Sequence, residues 1–470
     1  MKYFLLVLTF GVVFYASAQD LYLKRGKITD SIVVKDSLSE SYALYVPTDF
    51  DTTKTWPIVV VFDLKGRAKR AVKVFREAAE KNGYLVAASN NISDTLSITQ
   101  NILVTGRLLS SIAALLPVDK RRVYTAGFAS GGRFAGTVPT FVKEIRGVIS
   151  CGAPVPNTAL LNRRKPLHFI GIVGTSDFNY PEMLFVEKEL NRKSFENQLL
   201  VFEGGEQWPP SELLVKALEI ATLSSMAKKD VAENKVFVDD SYQQSLQMVN
   251  VAMGKQKQLL AYDWMQEMIE IYTPHRSIDS LLASAKTVRK GKGYRLQNRS
   301  KSNALFKESF LKDDFDYYLE EDIRTYNYNN LGWWTYQMEE LEKYEKSTNV
   351  FTMQMGQRLK GYVNALVADN IDLIYAQSPV DLEALNFLWM LKTITAPKEY
   401  ENYLKVISNS ALIDDDGTAL FYLEELLKAG YTDVDALYSL EHTAILRISP
   451  EYNALIEKYL KASRYEPIEE

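Results

Sequence analysis

The stretch Arg122-Val-Tyr-Thr-Ala-Gly-Phe-Ala-Ser-Gly-Gly-Arg133 gives three conformational instructions in succession. Its β-branched and aromatic start reads as a strand, the bracket of Gly127 and Gly131 as a tight turn, and the residues from Gly132 to Val142 as a helix. Small residues two positions before and two after the apex let strand and helix approach at a distance that a Cβ would block. The apex is Ala129.

Working outward, short β-branched runs alternate with helical stretches from residue 19 to about 226. The predicted strands are Ser41 to Val46, Ile58 to Asp63, Tyr84 to Ser89, Arg122 to Phe128, Gly147 to Cys151, Phe169 to Gly174 and Gln198 to Phe202. The predicted helices are Ala68 to Asn82, Thr99 to Leu116, Gly132 to Val142, Pro181 to Asn191 and Ser211 to Ala227. Runs such as Pro57-Ile-Val-Val-Val-Phe62 are apolar on both faces, as burial between two helical layers demands. The pattern predicts an α/β fold with a doubly wound, mainly parallel sheet. After about residue 228 the period becomes helical, in segments such as Tyr242 to Tyr272, Leu420 to Gly430 and Pro450 to Ala462. Residues 227–470 are therefore expected to form an all-α unit of helical hairpins. A tetratricopeptide-like array is one form it could take, although three copies at one fixed period are not found.

The turn at Ala129 resembles the nucleophile elbow, G-x-S-x-G, of the α/β-hydrolases, and most closely that of secreted esterases and polyhydroxyalkanoate-depolymerase-like members. The family order is nucleophile, acid, histidine. In Phe169-Ile-Gly-Ile-Val-Gly-Thr-Ser-Asp-Phe-Asn-Tyr180, a strand followed by a carboxylate places Asp177 at the acid position. Leu199-Leu-Val-Phe-Glu-Gly-Gly-Glu-Gln-Trp-Pro-Pro210 is similar to the family's last strand and its Gly-Gly-His-x-Trp-Pro-Pro loop, with Glu206 where histidine is expected. The resemblance thus implies an acyl-hydrolase site with the nucleophile and histidine positions substituted. Alanine has no oxygen, and a glutamate of ordinary pKa about 4.3 cannot relay a proton at neutral pH as an imidazole can. Ser130 is the candidate for a displaced nucleophile, at the cost of placing Phe128 where a small residue is needed.

The resemblance also implies an oxyanion niche of two backbone N–H groups, from Leu64 and Ser130, with Lys65, Arg67, Arg133 and Trp208 as neighbouring candidates for ligand contact. Three histidines are available in the whole chain: His168 just before a predicted strand, and His275 and His442 in the helical half. No cofactor and no metal site are expected. The run Asp414-Asp-Asp-Gly417 fails the calcium-loop register, which would set Leu412 and Leu423 at ligand positions. The aromatic cluster of Phe315, Tyr317, Tyr318, Tyr326, Tyr328, Trp333 and Trp334 reads as packing between helices, with a ligand surface as the alternative.

Bulk properties narrow the function classes. A chain of 470 residues exceeds one ordinary core, and 47% hydrophobic with 24% charged residues is the composition of a folded chain. The net charge of −4, with acidic and basic residues interleaved, provides no footprint for nucleic acid. Met1-Lys2, the apolar run Phe4 to Tyr15 and Ala16-Ser17-Ala18 predict a signal peptide, residues 1–18, and export to the periplasm or beyond. No later segment reads as apolar enough to span a bilayer. The single cysteine, Cys151, excludes an internal disulfide and reads as a small buried hydrophobe. The expected protein is an exported, catalytically inactive hydrolase-like chain that binds a small-molecule ligand or, through its helices, a protein partner. Two alternatives stand beside it: a serine-type esterase using Ser130 or a histidine from outside the usual loop, and a carboxylate enzyme using Asp177 with Glu206.

Overall fold

The computed structural model describes residues 23–35, 39–161 and 167–465. The expected signal peptide lies outside the described residues. Eight strands form one sheet: β1 (Ile28–Val33), β2 (Ser41–Tyr45), β3 (Trp56–Phe62), β4 (Leu85–Ser89), β5 (Val118–Phe128), β6 (Gly147–Cys151), β7 (His168–Gly174) and β8 (Asn197–Phe202). Their order is β1-β2-β4-β3-β5-β6-β7-β8, with β2 antiparallel to both neighbours and β3 to β8 mutually parallel. Between them run α1 (Ala68–Asn82), α2 (Ile98–Leu115), α3 (Ser130–Phe141), α4 (Tyr180–Arg192) and α5 (Ser211–Ala227).

The alternation in β3 shows why both faces are apolar. Ile58, Val60 and Phe62 enter a core with α2, α3 and α4, whereas Val59 and Val61 enter the opposite core with α1 and α5. Cys151 belongs to this second core and is fully buried, which pushes its thiol pKa up. At the end of α1, Gly83 takes φ 67° and closes the helix in a left-handed cap that a residue with a Cβ would adopt at a cost.

The helical half comprises α6 (Lys235–Gly254), α7 (Gln258–Tyr272), α8 (Asp279–Lys290), α9 (Lys292–Thr325), α10 (Leu331–Glu345), α11 (Val350–Tyr375), α12 (Leu382–Thr395), α13 (Tyr400–Leu412), α14 (Asp416–Lys428), α15 (Val434–Ser439) and α16 (Pro450–Leu460). Several successive helices pack as pairs, among them α6 with α7, α10 with α11 and α13 with α14, but their lengths run from 6 residues in α15 to 34 in α9, so no constant period arises. One apolar core joins α9 to α12 and another joins α13 to α16.

One sequence expectation is corrected. The helix expected over Tyr242 to Tyr272 is two helices, because Gln256 takes φ 57° after Gly254 and turns the chain. Among the described residues one helix, α2, has the length and composition to cross a membrane, and it lies against the sheet with Val104, Leu108 and Ile112 in the core. The apolar interior of the α/β unit continues past residue 226. Every residue of α5 from Leu213 to Met226 is buried, and the core continues through Val238, Tyr242, Trp264 and Met268 to Ala285. A buried Lys216–Glu219 ion pair of 2.7 Å on α5 is shared with Ser241 of α6 and Tyr272 of α7, so α6 and α7 complete the interior of the α/β unit.

Candidate functional site

Strand β5 runs into α3 through Ala129, whose φ of 48° and ψ of −120° lie where a side-chain-bearing residue is held only under constraint. The constraint is visible on both sides. A Cβ on Gly127 would stand 2.2 Å from the carbonyl oxygen of Gly131, and one on Gly131 would stand 2.3 Å from that of Phe62. The elbow is therefore built in full, at a backbone cost of about 1–3 kcal/mol, around a methyl group.

Ser130 is the first residue of α3 and is exposed. The residue two before it, Phe128, stacks on Trp208 with ring centroids 5.4 Å apart, and Trp208 also meets Phe75 at 6.1 Å. An elbow re-centred on Ser130 would need a small residue where this ring sits. Trp208, a candidate for ligand contact, is thereby partly buried as the cover of Phe128.

Leu64 follows β3. Its carbonyl accepts from the N–H of Asp94 at 2.9 Å, and among the described residues neither the Leu64 nor the Ser130 N–H meets an acceptor. The basic candidates around this niche are largely engaged elsewhere. Arg67 is paired with Asp63 at 2.9 Å, and Arg133 donates to Asn179 at 2.8 Å and lies 3.4 Å from Glu182. Lys65 is exposed.

Asp177 sits in the loop after β7 and is 1% exposed. Burial raises its carboxyl pKa, offset in part by hydrogen bonds from Asn179, whose N–H donates at 2.9 Å, and by Arg133 and Lys312. Gly152, at φ 61°, leaves the space: a Cβ there would lie 2.7 Å from Asp177 Oδ2. The loop after β8 is tied to the acid loop by the N–H groups of Thr175 and Ser176, which donate to Phe202 and Gly204 at 2.8 Å each. Glu206 on that loop is solvent-exposed. Partial desolvation raises its carboxyl pKa, and the charge of Asp177 raises it further. The sequence-predicted residues of the two loops are thus brought together, and they form a pair of carboxyls.

The histidines lie elsewhere. His168 is buried at the start of β7, the end opposite Asp177, bonded to Gln198, and burial lowers its pKa. His275 Nε2 lies 3.1 Å from the carbonyl of Leu223, near the far end of α5. His442 is in an exposed turn beyond α15. Among the described residues no group of three His, Cys, Asp or Glu side chains is arranged to hold a metal ion. Asp415 of the acidic run caps α14 through the Thr418 N–H at 3.0 Å. Within the aromatic cluster, Phe315 and Trp334 are fully buried, and Trp334 donates to Asp322 at 2.9 Å.

What the sequence reading missed is the layer over the acid loop. From α11, Gln354 donates to Thr175 Oγ1 at 2.9 Å, Gln357 accepts from Ser176 at 2.6 Å, and Arg358 donates to the Thr175 carbonyl at 2.6 Å. Arg358 is fixed by Glu308 of α9 in a forked pair of 2.6 to 3.1 Å, buried on both sides. Lys312 of α9 adds a 3.2 Å bond to the Phe178 carbonyl. The arginine and glutamate lie on separate helices with no motif spacing between them, and only the buried position of a charge-bearing α11 face signals the contact.

No protein-family model matches the chain, and no curated protein matches it in sequence. Among solved structures, it is similar to a ferulic acid esterase (15% identity, 42% of this chain and 97% of that one, TM-score 0.34). It is also similar to an S-formylglutathione hydrolase from Staphylococcus aureus (13%, 43% and 99%, TM-score 0.34) and to an esterase from Pyrobaculum calidifontis (12%, 43% and 86%, TM-score 0.35). These likenesses span less than half of this chain, and the reading of the site rests on its own geometry. With the elbow after β5, the acid loop after β7 and the final loop after β8, the chain has an α/β-hydrolase fold extended by an all-α region.

Proposed function

We propose that this protein is an exported pseudo-hydrolase that binds a ligand in its former catalytic cleft and performs no acyl transfer there. The observation that carries the proposal is Ala129: the strained apex conformation is kept, and the atom it exists to present is absent. An imidazole is missing as well, since the final loop offers Glu206 and each histidine sits elsewhere.

The polarity of the cleft defines the ligand class. Two free N–H groups, from Leu64 and Ser130, suit a carbonyl oxygen. Asp177 and Glu206 suit a donor or cation beside it, and they repel an added carboxylate. Arg67 and Arg133 are committed to protein carboxyl and amide groups, and Arg133 with Lys312 offsets the charge of Asp177 only in part, so that repulsion is not fully compensated. The ligand is therefore a carbonyl compound without a carboxylate, bearing an amine or ammonium group or an amide donor.

Purified protein treated with a fluorophosphonate probe and a panel of p-nitrophenyl esters should show neither labelling nor turnover. Thermal-shift measurements should show stabilisation by amino-acid amides and not by the matching free amino acids, which add a carboxylate, since a ligand stabilises the state it binds. Labelling that disappears in Ser130→Ala would establish the displaced nucleophile and overturn the proposal. Stabilisation by carboxylates alone would overturn the ligand class.

A further inference from the structure

The longest helix, α9, turns an aromatic face to solvent. Phe306 is 67% exposed, Phe310 55%, Tyr317 64% and Leu296 57%. These residues share one side with Arg299, Asn303, Asp313 and Glu320, spaced alternately by three and four positions, which is the repeat of a seam between paired helices. The opposite side, carrying Glu308, Phe315 and Leu319, is buried within the protein.

The exposed seam is symmetric about position 308. Reversed upon itself there, it sets Phe306 against Phe310, Asn303 against Asp313, Arg299 against Tyr317 and Leu296 against Glu320. Charge follows the same symmetry. The first half of α9 carries Lys292, Arg295 and Arg299, and the second half carries Asp313, Asp314 and Glu320. A helix basic at one end and acidic at the other is complementary to its own antiparallel copy and repels a parallel one.

We propose that two copies of this chain associate through α9, antiparallel, about a two-fold axis that crosses the seam between Phe306 and Phe310, level with position 308. The four phenylalanines of the pair form the apolar centre, and Phe306 and Phe310 already meet edge to face at 4.8 Å within one chain. On either side, Asn303 hydrogen-bonds Asp313 of the other copy, and Arg299 lies over its Tyr317 ring. Arg324, which would oppose Lys292, is held by Glu321 of its own chain at 2.6 Å. The 34 residues of α9 give a strip about 50 Å long. At a width of about 10 Å it buries about 1,000 Å² in total, the lower bound for a specific interface, so the dimer is concentration-dependent. The association is isologous and closes at two copies. It is independent of the cleft and of its ligand.

Sedimentation velocity on the full chain should show a monomer–dimer equilibrium that shifts to monomer in Phe306→Asp/Phe310→Asp, with an unchanged far-ultraviolet circular dichroism spectrum. Register is tested by mild oxidation of Asn303→Cys/Asp313→Cys. Ten positions along one helix separate these two by about 15 Å, so they cannot bridge within a chain. Cys151 is buried. A disulfide-linked dimer should form in the double variant and in neither single one. A wild-type chain that stays monomeric at the highest soluble concentration overturns the proposal, as does a dimer indifferent to the Phe306/Phe310 substitutions. Cross-linking through Asn303→Cys alone would mean a parallel pair and overturn it equally.

Discussion

Arg358 donates to the carbonyl oxygen of Thr175 at 2.6 Å across 183 positions of sequence, and in doing so it fastens α11 to the loop that carries Asp177. The guanidinium and its partner Glu308 are 3% and 1% exposed. Replacing Arg358 by Met leaves a buried carboxylate whose remaining cation is Lys312, 3.6 Å away. The expected loss is about 3–5 kcal/mol, because an uncompensated buried charge costs more than the pair contributes. Arg358→Met/Glu308→Leu should recover most of that loss in urea unfolding. Equal stability of the single variant and wild type would show that the pair is solvated.

The connector from Lys228 to Asn234 is largely exposed, yet the core passes across it from α5 into α6 and α7. Trypsin is expected to cut there, at Lys228 or Lys229, and the two fragments are expected to elute together in gel filtration under native conditions. Separation into two folded species would mean that the α/β and helical units have independent interiors, and that the Lys216–Glu219–Tyr272 network is dispensable.

Legibility followed local patterning. Strands buried on both faces, such as β3, announce themselves as unbroken apolar runs, and the elbow is visible because close backbone approach restricts Gly127 and Gly131 to glycine. Strand β1 escaped because its alternation is interrupted by a register shift between Thr29 and Ile32, where Ser31 takes φ 56°. The break between α6 and α7 had its cue in Gly254-Lys-Gln-Lys257, outweighed by the apolar period on each side. The pairings of Arg67 with Asp63 and of Arg133 with Asn179 differ in kind. The first is a four-residue spacing that could have been read; the second joins segments that only the fold brings together.

A set of carboxyls between α4 and α7 makes stability depend on pH. Glu187 is pushed up to about 7, chiefly by burial and then by Asp263. Burial also raises Asp263, Glu270 and Glu267, and the last has one oxygen without a partner. An acid whose folded pKa is raised contributes stability below its unfolded pKa and loses it as pH rises through the folded value. Buried His168, with its pKa lowered, works in the other direction, since it loses stability as pH falls. The informative quantity is therefore the difference between variants. Glu187→Gln should match wild type in melting temperature near about pH 4 and exceed it increasingly toward about pH 8. Parallel melting curves across that range would exclude Glu187 as a titrating group.

The remaining prediction tests the proposal that the site lacks acyl-transfer chemistry because of two side chains alone. Ala129→Ser inserts its hydroxyl at an apex already at φ 48° and ψ −120°, so no backbone rearrangement is required. Glu206→His places an imidazole beside Asp177, which is buried and held by Asn179, and so can fix a ring tautomer. The same substitution removes one of two mutually repelling carboxyls and leaves an imidazolium favourably placed in the reaction. Among the described residues the Leu64 and Ser130 N–H groups meet no acceptor, which leaves them open to an oxyanion. Triad members act as a unit, so each single variant should stay near the background that an oxyanion niche alone supports, about 10³-fold over water. The double variant should exceed both singles on p-nitrophenyl acetate and should acquire fluorophosphonate labelling. Arg358→Met added to the double variant should reduce kcat more than it changes KM, since Arg358 steadies the acid loop and touches no substrate. A folded double variant that neither labels nor turns over ester would show that the cleft around Ala129 is closed by more than its missing oxygen, with Trp208 over Phe128 the first contact to open.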